Sequence, residues 1–328
     1  MTQKVRFGLT LSNRGVLLGL TAPEELLTMA EMGEACGAFE HVWVGDSIMA
    51  KPRMESMVLM AAIAARTKRV KIGPACMATF PSRNPLYLAY QWASLDLLSN
   101  GRMILGACMG GSLDQQDHRI EYRNVGIKAS DRAQRLEENI TILRKLWTED
   151  RVTYAGKFHT LEDAFVLPKP VQNPPPIWVI SNPRLRVGKP HIIERSLRRV
   201  ARMGDGWMTT ANPADEFAEL RRRIGEYAKE YGRNFDDLPS ALYFNINIKE
   251  DREEALQESK KYLDQYYSVN FARQAVENWV AHGSPQQCIE QLQSFLDAGA
   301  TDILLRFPSW DQKGQFKRCV EEVLPQFI

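Results

Sequence analysis

Little in this chain marks it for export, for metal or for nucleic acid. Its five cysteines, Cys36, Cys76, Cys108, Cys288 and Cys319, form no C-x-x-C pair and no even set, so neither a disulfide framework nor a zinc site is indicated. His118, His159 and His282 lack any H-E-x-x-H type of spacing, and no metal is expected. No apolar run approaches the roughly 18 residues of a membrane span, and no basic stretch followed by an apolar one opens the chain. A net charge of +2 supplies no broad cationic surface for a polyanion. These absences predict a soluble, unprocessed protein of a reducing cytoplasm, with neither membrane nor nucleic acid as partner.

Two arginine-rich stretches, RSLRRVAR from Arg195 and RRR from Arg221, come nearest to a nucleic-acid patch. Helical spacing turns Leu197, Val200, Leu220 and Ile224 inward, which predicts a solvated arginine face beside Glu216, Glu219 and Glu226.

Short apolar runs are what the chain has in quantity. Eight of them, at 5–11, 41–44, 70–75, 103–108, 177–180, 207–210, 242–248 and 302–307, alternate with helical patterns. Such alternation means a parallel sheet. Eight units without a G-x-G-x-x-G after the first strand favour closure into a (β/α)8 TIM barrel over an open doubly wound sheet. A single domain over 1–328 is expected, because α/β barrels exceed the usual domain size.

Thr21 with Glu24, and Ser284 with Pro285 and Gln287, fit capping boxes. Ser130 opens a helix whose Leu136, Ile140, Leu143 and Trp147 form one apolar stripe. Ser99-Asn100-Gly101, Gly37 and Gly299 stand where helices should end. Three connections, 109–129, 148–176 and 249–283, are too long for plain loops and are expected to cover the mouth of the barrel as insertions at the C-terminal face of the strands. The second carries a strand–turn–strand pattern around Ala155-Gly156; the third carries helices over 260–267 and 271–280.

A TIM barrel places its active site at the C-terminal ends of its strands. That rule selects Asp46, Ala75, Cys76, Met77, Cys108, Met109, Ser181, Asn182, Thr209 and Arg306. Asp46 reads equally as a proton-exchanging carboxylate and as an N-cap. Cys108 also reads as a small buried residue at a strand end. Tyr262, Tyr266, Tyr267, Phe271 and Trp279 suit an apolar pocket wall or a helix packing seam.

Between Arg83 and Gly111 a helix, a turn and a glycine-rich strand end follow one another. Arg83 with Pro85, Ala89, Leu95-Asp96, Ser99 with Gly101-Arg102, and Gly106 with Gly110 resemble in order the pattern of the bacterial luciferase-like monooxygenases. VWVGDS at 42–47, PKPVQNPPPIWVI at 168–180 and MGDGW at 203–207 extend the resemblance over nearly the whole chain.

The resemblance implies a flavin ring held over the end of the third strand, beside a non-proline cis peptide at Ala75-Cys76, with contacts from Ala75, Cys76, Met77, Cys108 and Met109. Cys108 stands where luciferase has a reactive thiol, and with Asp46 it is the catalytic candidate. Met109 replaces an arginine that pairs with the flavin phosphate, and a thioether donates nothing to phosphate. Ser181, Asn182, Arg184, Lys189 and His191, just before a helix, are expected to hold that anion instead.

The activity implied is a two-component monooxygenase, in which a separate flavin reductase supplies reduced FMN and O2 oxidises a small-molecule organic substrate. An F420-dependent oxidoreductase that moves a hydride is the alternative, because VWVGDS and the glycine-rich strand end occur in both branches. A non-catalytic flavin-binding paralogue is a third reading. The resemblance also implies a homodimer through the helices beside strands two and three, where Met54, Met57, Val58, Leu59, Met60 and Ile63 are expected to form an apolar surface.

Overall fold

All eight apolar runs are strands in the computed structural model, which describes residues 5–328. The first half is built by β1 (Arg6–Thr10), α1 (Pro23–Ala35), β2 (His41–Val44), α2 (Ser56–Arg66), β3 (Lys71–Pro74), α3 (Pro85–Ser99) and β4 (Leu105–Ala107). An excursion with α4 (Gln116–Asn124) leads to α5 (Arg132–Thr148) and a hairpin of β5 (Val152–Ala155) and β6 (Thr160–Ala164). The chain returns through β7 (Ile177–Ile180), α6 (Pro190–Met203), β8 (Gly206–Thr210), α7 (Ala214–Glu230) and β9 (Ser240–Ile248). It ends with α8 (Arg252–Tyr267), α9 (Arg273–Glu277), β10 (Val280–Gly283), α10 (Pro285–Asp297), β11 (Asp302–Arg306) and α11 (Gln312–Arg318).

Parallel pairing runs β3-β2-β1-β11-β9-β8-β7-β4. The two ends of that order also meet: the Ile72 N–H donates to the Arg102 carbonyl at 2.8 Å, Ile104 to Ile72 at 2.9 Å and Met77 to Gly106 at 2.7 Å. Closure satisfies backbone groups that an open sheet would leave at its edges, and it makes the expected eight-stranded barrel.

Side chains fill the barrel. Trp43 lies 5.3 Å from Trp178, ring to ring, and 5.8 Å from His41. Glycine makes room for it, since a Cβ on Gly8 would stand 2.7 Å from Trp43 Nε1 and one on Gly73 2.6 Å from its Cζ3. Burial pushes the His41 imidazole down to about 4, against the pull of Asp302, so the ring packs neutral among the tryptophans.

Helix boundaries follow the expected chemistry with local shifts. Ser284 and Gln287 form a reciprocal capping box, and Asn100 (φ 57°) and Gly101 (φ 76°) end α3 in the left-handed region. At α1, Pro23 takes the first helical position, so Glu25 and not Glu24 accepts from the Ala22 N–H. Ser130 lies inside a 3-10 turn, Ala129–Asp131, and α5 begins at Arg132. Its predicted stripe is buried throughout.

Three expectations are corrected. Val280 leaves the predicted helix over 271–280 and opens β10, a ninth strand that pairs with the end of β9 from Asn245, beyond its last partner on β8 at Tyr243. The connection over 148–176 does not cover the barrel mouth. Its hairpin lies on α5, where Glu138 accepts from the N–H groups of Lys157, Phe158 and His159, and Gln172 bonds to Asp96 on α3. Of the six residues expected to form an apolar dimer surface, Met57, Leu59, Met60 and Ile63 are core, Met54 is half-buried, and Val58 alone is exposed. No helix among the described residues is long and apolar enough to cross a membrane.

Candidate active site

Because all eight barrel strands run parallel, their carboxyl ends converge on one rim, and a cavity of about 570 Å³ opens there. Its size is that of a cofactor or substrate pocket. Gly45 and Asp46 after β2, Ala75 and Cys76 after β3, and Cys108 and Met109 after β4 form one side. Ile180, Ser181 and Asn182 after β7, Met208 to Thr210 on β8, and Tyr243 on β9 form the other. The first excursion adds Gln115 and His118, and the third adds Tyr267, Phe271 and Trp279. These two long connections do cover the mouth.

The Ala75–Cys76 peptide is cis, at the position that the resemblance implied. It redirects the chain after β3: the Ala75 N–H still bonds to the Val44 carbonyl on β2, whereas the Met77 N–H bonds to Gly106 on β4. Met77 is fully buried and stays out of the cavity, contrary to expectation, because that bond draws it into the wall. The same closure sets Cys76 beside Cys108, with Cα atoms 6.1 Å apart, and the two are joined as a disulfide. Cysteine spacing along the chain had indicated no pair, since 32 residues separate them. Cys108 faces the cavity in contact with Cys76.

Asp46 reaches the cavity wall with both carboxylate oxygens engaged. One accepts from the Ser56 hydroxyl at 2.7 Å and from Arg83 at 3.2 Å; the other accepts from the Thr79 N–H at 2.8 Å and the Thr79 hydroxyl at 2.7 Å. Arg83 is shared with Glu55 at 2.8 Å. The carboxylate thus ties α2 to the turn that follows the cis peptide. This is an anchor in place of the N-cap considered for it.

The segment after β7 divides. Ser181 and Asn182 line the cavity, and the Ser181 hydroxyl is buried with no partner. Arg184 turns away and donates to the carbonyls of Thr210 and Ala211 and to Asn212. Lys189 is the N-cap of α6 and His191 lies in its first turn; both are exposed and outside the cavity. Their expected part in anion binding is corrected: Lys189 and His191 lie on the solvent side of the first turn, whose Ile192 takes the side that faces the rim.

What faces the rim from α6 is Ile192, Ser196 and Arg199. Arg199 is only 7% exposed, pairs with Glu137 at 2.8 Å and lies 3.8 Å from the Met109 sulfur. Sequence reasoning had put it on a solvated arginine face. Its spacing of three residues from Ser196 and seven from Ile192, on one helical row, was the available signal. Lys51 and Arg53, in the loop after β2, also line the cavity unforeseen. Burial pushes the Lys51 ammonium down, although Asp117 at 3.9 Å opposes it. The cavity thus has Lys51, Arg53 and Arg199 on its walls against one carboxylate, Asp46.

The aromatic residues of the third excursion serve both expected purposes. Tyr267, Phe271 and Trp279 line the cavity, while Tyr262 and Tyr266 stack beneath it, 5.7 Å apart. Arg306, at the end of β11, is fully buried behind the same wall.

A family model described as luciferase-like monooxygenase matches residues 5–302. An F420-dependent glucose-6-phosphate dehydrogenase of Amycolatopsis mediterranei (strain U-32) is 28% identical over 330 residues, which cover 93% of this chain and 94% of that protein. The chain superposes on an F420-dependent secondary alcohol dehydrogenase solved with an F420-acetone adduct, with a TM-score of 0.82 and 19% identity over 98% of both chains. It also superposes on a monooxygenase from Streptomyces bottropensis, with a TM-score of 0.80 and 22% identity over 98% of this chain and 100% of the other. The last two likenesses concern the fold. The expected FMN-dependent monooxygenase is overturned by the full-length relatives, which are named for F420 and for dehydrogenation. The motifs could not separate the branches, because they lie at strand ends expected in both.

Proposed function

The chain belongs to the luciferase-like monooxygenase family, and from that membership we propose that it is an F420-dependent oxidoreductase acting on a small hydroxyl-bearing substrate. The observation that carries this reading is the match along nearly the full chain to a dehydrogenase named for F420. The flavin reductase expected alongside FMN has no place in it.

When bound, F420 supplies a ring carbon that accepts or returns a hydride. The chain has groups that suit such a cofactor: a buried, unpartnered Ser181 hydroxyl on the cavity wall, and Ser196 and Arg199 from α6 as donors to a phosphate. Ala75, Cys76, Cys108 and Met109 offer a flat wall at the ends of β3 and β4 for the ring system. Asp46 holds that wall in place through Thr79. Lys51 and Arg53 make the remaining space attractive to an anionic substrate, in keeping with the sugar phosphate that the relative's name carries. Phe271 and Trp279 keep water from the reacting atoms.

The decisive experiment is anaerobic titration of the apoprotein with F420 and, separately, with reduced FMN, followed by glucose 6-phosphate and short secondary alcohols. Tight F420 binding and bleaching of its visible absorbance by a hydroxyl substrate are expected. Binding of reduced FMN alone, with oxygen uptake, would sink the proposal. A homodimer belongs to the same reading, through exposed Val58 on α2 and Tyr87 and Leu98 on α3; sedimentation should give twice the monomer mass.

A further inference from the structure

Around the cavity's aromatic wall stand three guanidinium groups, Arg53 on the lining and Arg14 and Arg306 behind it, with only neutral partners among the described residues. Arg14, 5% exposed, donates to the Ser268 hydroxyl at 3.0 Å, and its Nε and Nη1 have no partner. Arg53 donates to the Lys51 carbonyl at 3.0 Å. Arg306, 1% exposed, donates to Asn245 Oδ1 at 3.1 Å and to the Tyr267 hydroxyl at 2.9 Å, and its Nη2 has no partner. Four aromatic rings surround it, Tyr266 at 4.7 Å, Tyr267 at 5.2 Å, Tyr243 at 5.5 Å and Trp279 at 5.6 Å.

Buried charge is costly unless something of opposite sign neutralises it. Ring faces stabilise a cation far less than a counter-ion does. Among the described residues, Tyr267 is the one group that touches Arg306 through an ionisable oxygen and also lines the cavity. Its ring is half-buried, with one side on the substrate space.

Resting on the oxidoreductase reading, we propose that Tyr267 is a catalytic residue, an Arg306-stabilised phenolate that accepts the hydroxyl proton of the substrate. The carbinol C–H bond would break with its hydrogen leaving, together with both bonding electrons, as hydride to the bound deazaflavin ring. The O–H bond breaks, its electrons form the carbonyl double bond, and the proton goes to the Tyr267 oxygen. In the reverse direction Tyr267 returns that proton. Asp46 is not needed for the transfer, which fits the saturation of its oxygens.

The surroundings favour this form of Tyr267. Burial opposes ionisation, yet Arg306 and Arg53 hold the phenol below its ordinary value, with Tyr243 also bonding to it. Tyr243 itself is pushed well above its ordinary value, chiefly by burial, so the phenolate is assigned to Tyr267. Tyr266, edge-on to Tyr267 at 5.1 Å, and Tyr262, stacked on Tyr266, are the remaining tyrosines of the cluster, both on α8.

The test begins with the apoprotein, by following tyrosinate absorbance against pH. One of the ten tyrosines is expected to ionise at lower pH than the others. That step should vanish in Tyr267→Phe and move upward in Arg53→Gln, a change at a less buried arginine than Arg306. Ten tyrosines that all titrate in the ordinary alkaline range, or a low step that survives in Tyr267→Phe, would overturn the proposal. With F420 and substrate, Tyr267→Phe should lose about 10²–10⁴-fold in kcat at little change in KM, and with it the rise of kcat with pH. An unchanged pH profile in that variant would equally overturn it. A low-pH tyrosinate without any F420 turnover would refute the oxidoreductase reading while leaving the phenolate, so the two failures are distinguishable.

Discussion

Replacing Asp46 by asparagine separates an anchor from a proton-transfer group. The amide keeps one oxygen and turns the other into a donor. The Thr79 N–H, 2.8 Å from one carboxylate oxygen, cannot reverse its polarity, so the amide oxygen must stay there. The NH2 group then faces Ser56, whose hydroxyl can rotate to accept, and Arg83, which cannot accept at all. Arg83 keeps Glu55 at 2.8 Å, so no cation is left without a partner. The net loss is one charge-assisted contact and the weakening of the others, about 1.5–3 kcal/mol. At roughly 2 °C per kcal/mol for a domain of this size, the thermal midpoint should fall by about 3–6 °C. Differential scanning calorimetry reads the midpoint, and steady-state F420 reduction reads kcat. A structural anchor predicts a lower midpoint with kcat altered only a few-fold and no change in pH profile. An unchanged midpoint with kcat down by about 100-fold or more would refute the anchor and make Asp46 the acid–base group.

Arg199→Met removes a cavity cation while keeping an apolar stem, and should weaken F420 binding by about 10–100-fold, measured by fluorescence titration; an unchanged Kd would place the phosphate elsewhere. His41 should make stability pH-dependent: its folded value of about 4 lies below the ordinary 6.5, so the stabilising neutral form is fully favoured above 6.5. That contribution, about 3 kcal/mol, is lost as pH falls from 6.5 to about 4, because the unfolded imidazole takes up a proton that the folded one refuses. Urea unfolding at pH 5 and 7 should show the loss, and His41→Gln should reduce it; an equal loss in the variant would refute the assignment. Trp43→Ala empties the centre of the barrel and should cost about 3–5 kcal/mol in the same assay; a cost below about 1 kcal/mol would mean that the interior collapses around the gap.

Helix capping was legible where the signal is local. Ser284 and Gln287 lie within one turn of each other, and their reciprocal bonds need no tertiary partner. At α1 the same reasoning missed by one residue, since Pro23 claims the first helical position. β10 escaped detection because its four residues are strand only through the free end of β9. Arg199 escaped because polarity along a helix indicates solvent unless a cavity lies opposite.

Alternation of eight apolar runs with helical patterns indicated a parallel sheet, because strand direction and burial are written in local periodicity, and the family resemblance added its closure into a barrel with a rim at the carboxyl ends of the strands. The family motifs lie at those same strand ends and were legible for the same reason. Which side chains meet at the rim was another matter. Cys76 with Cys108, Asp46 with Thr79, and Arg306 with Tyr267 are separated by 32, 33 and 39 residues. Such pairs have no periodic signature, and each forms only when the folded barrel brings distant strand ends, loops and helix ends within bonding distance.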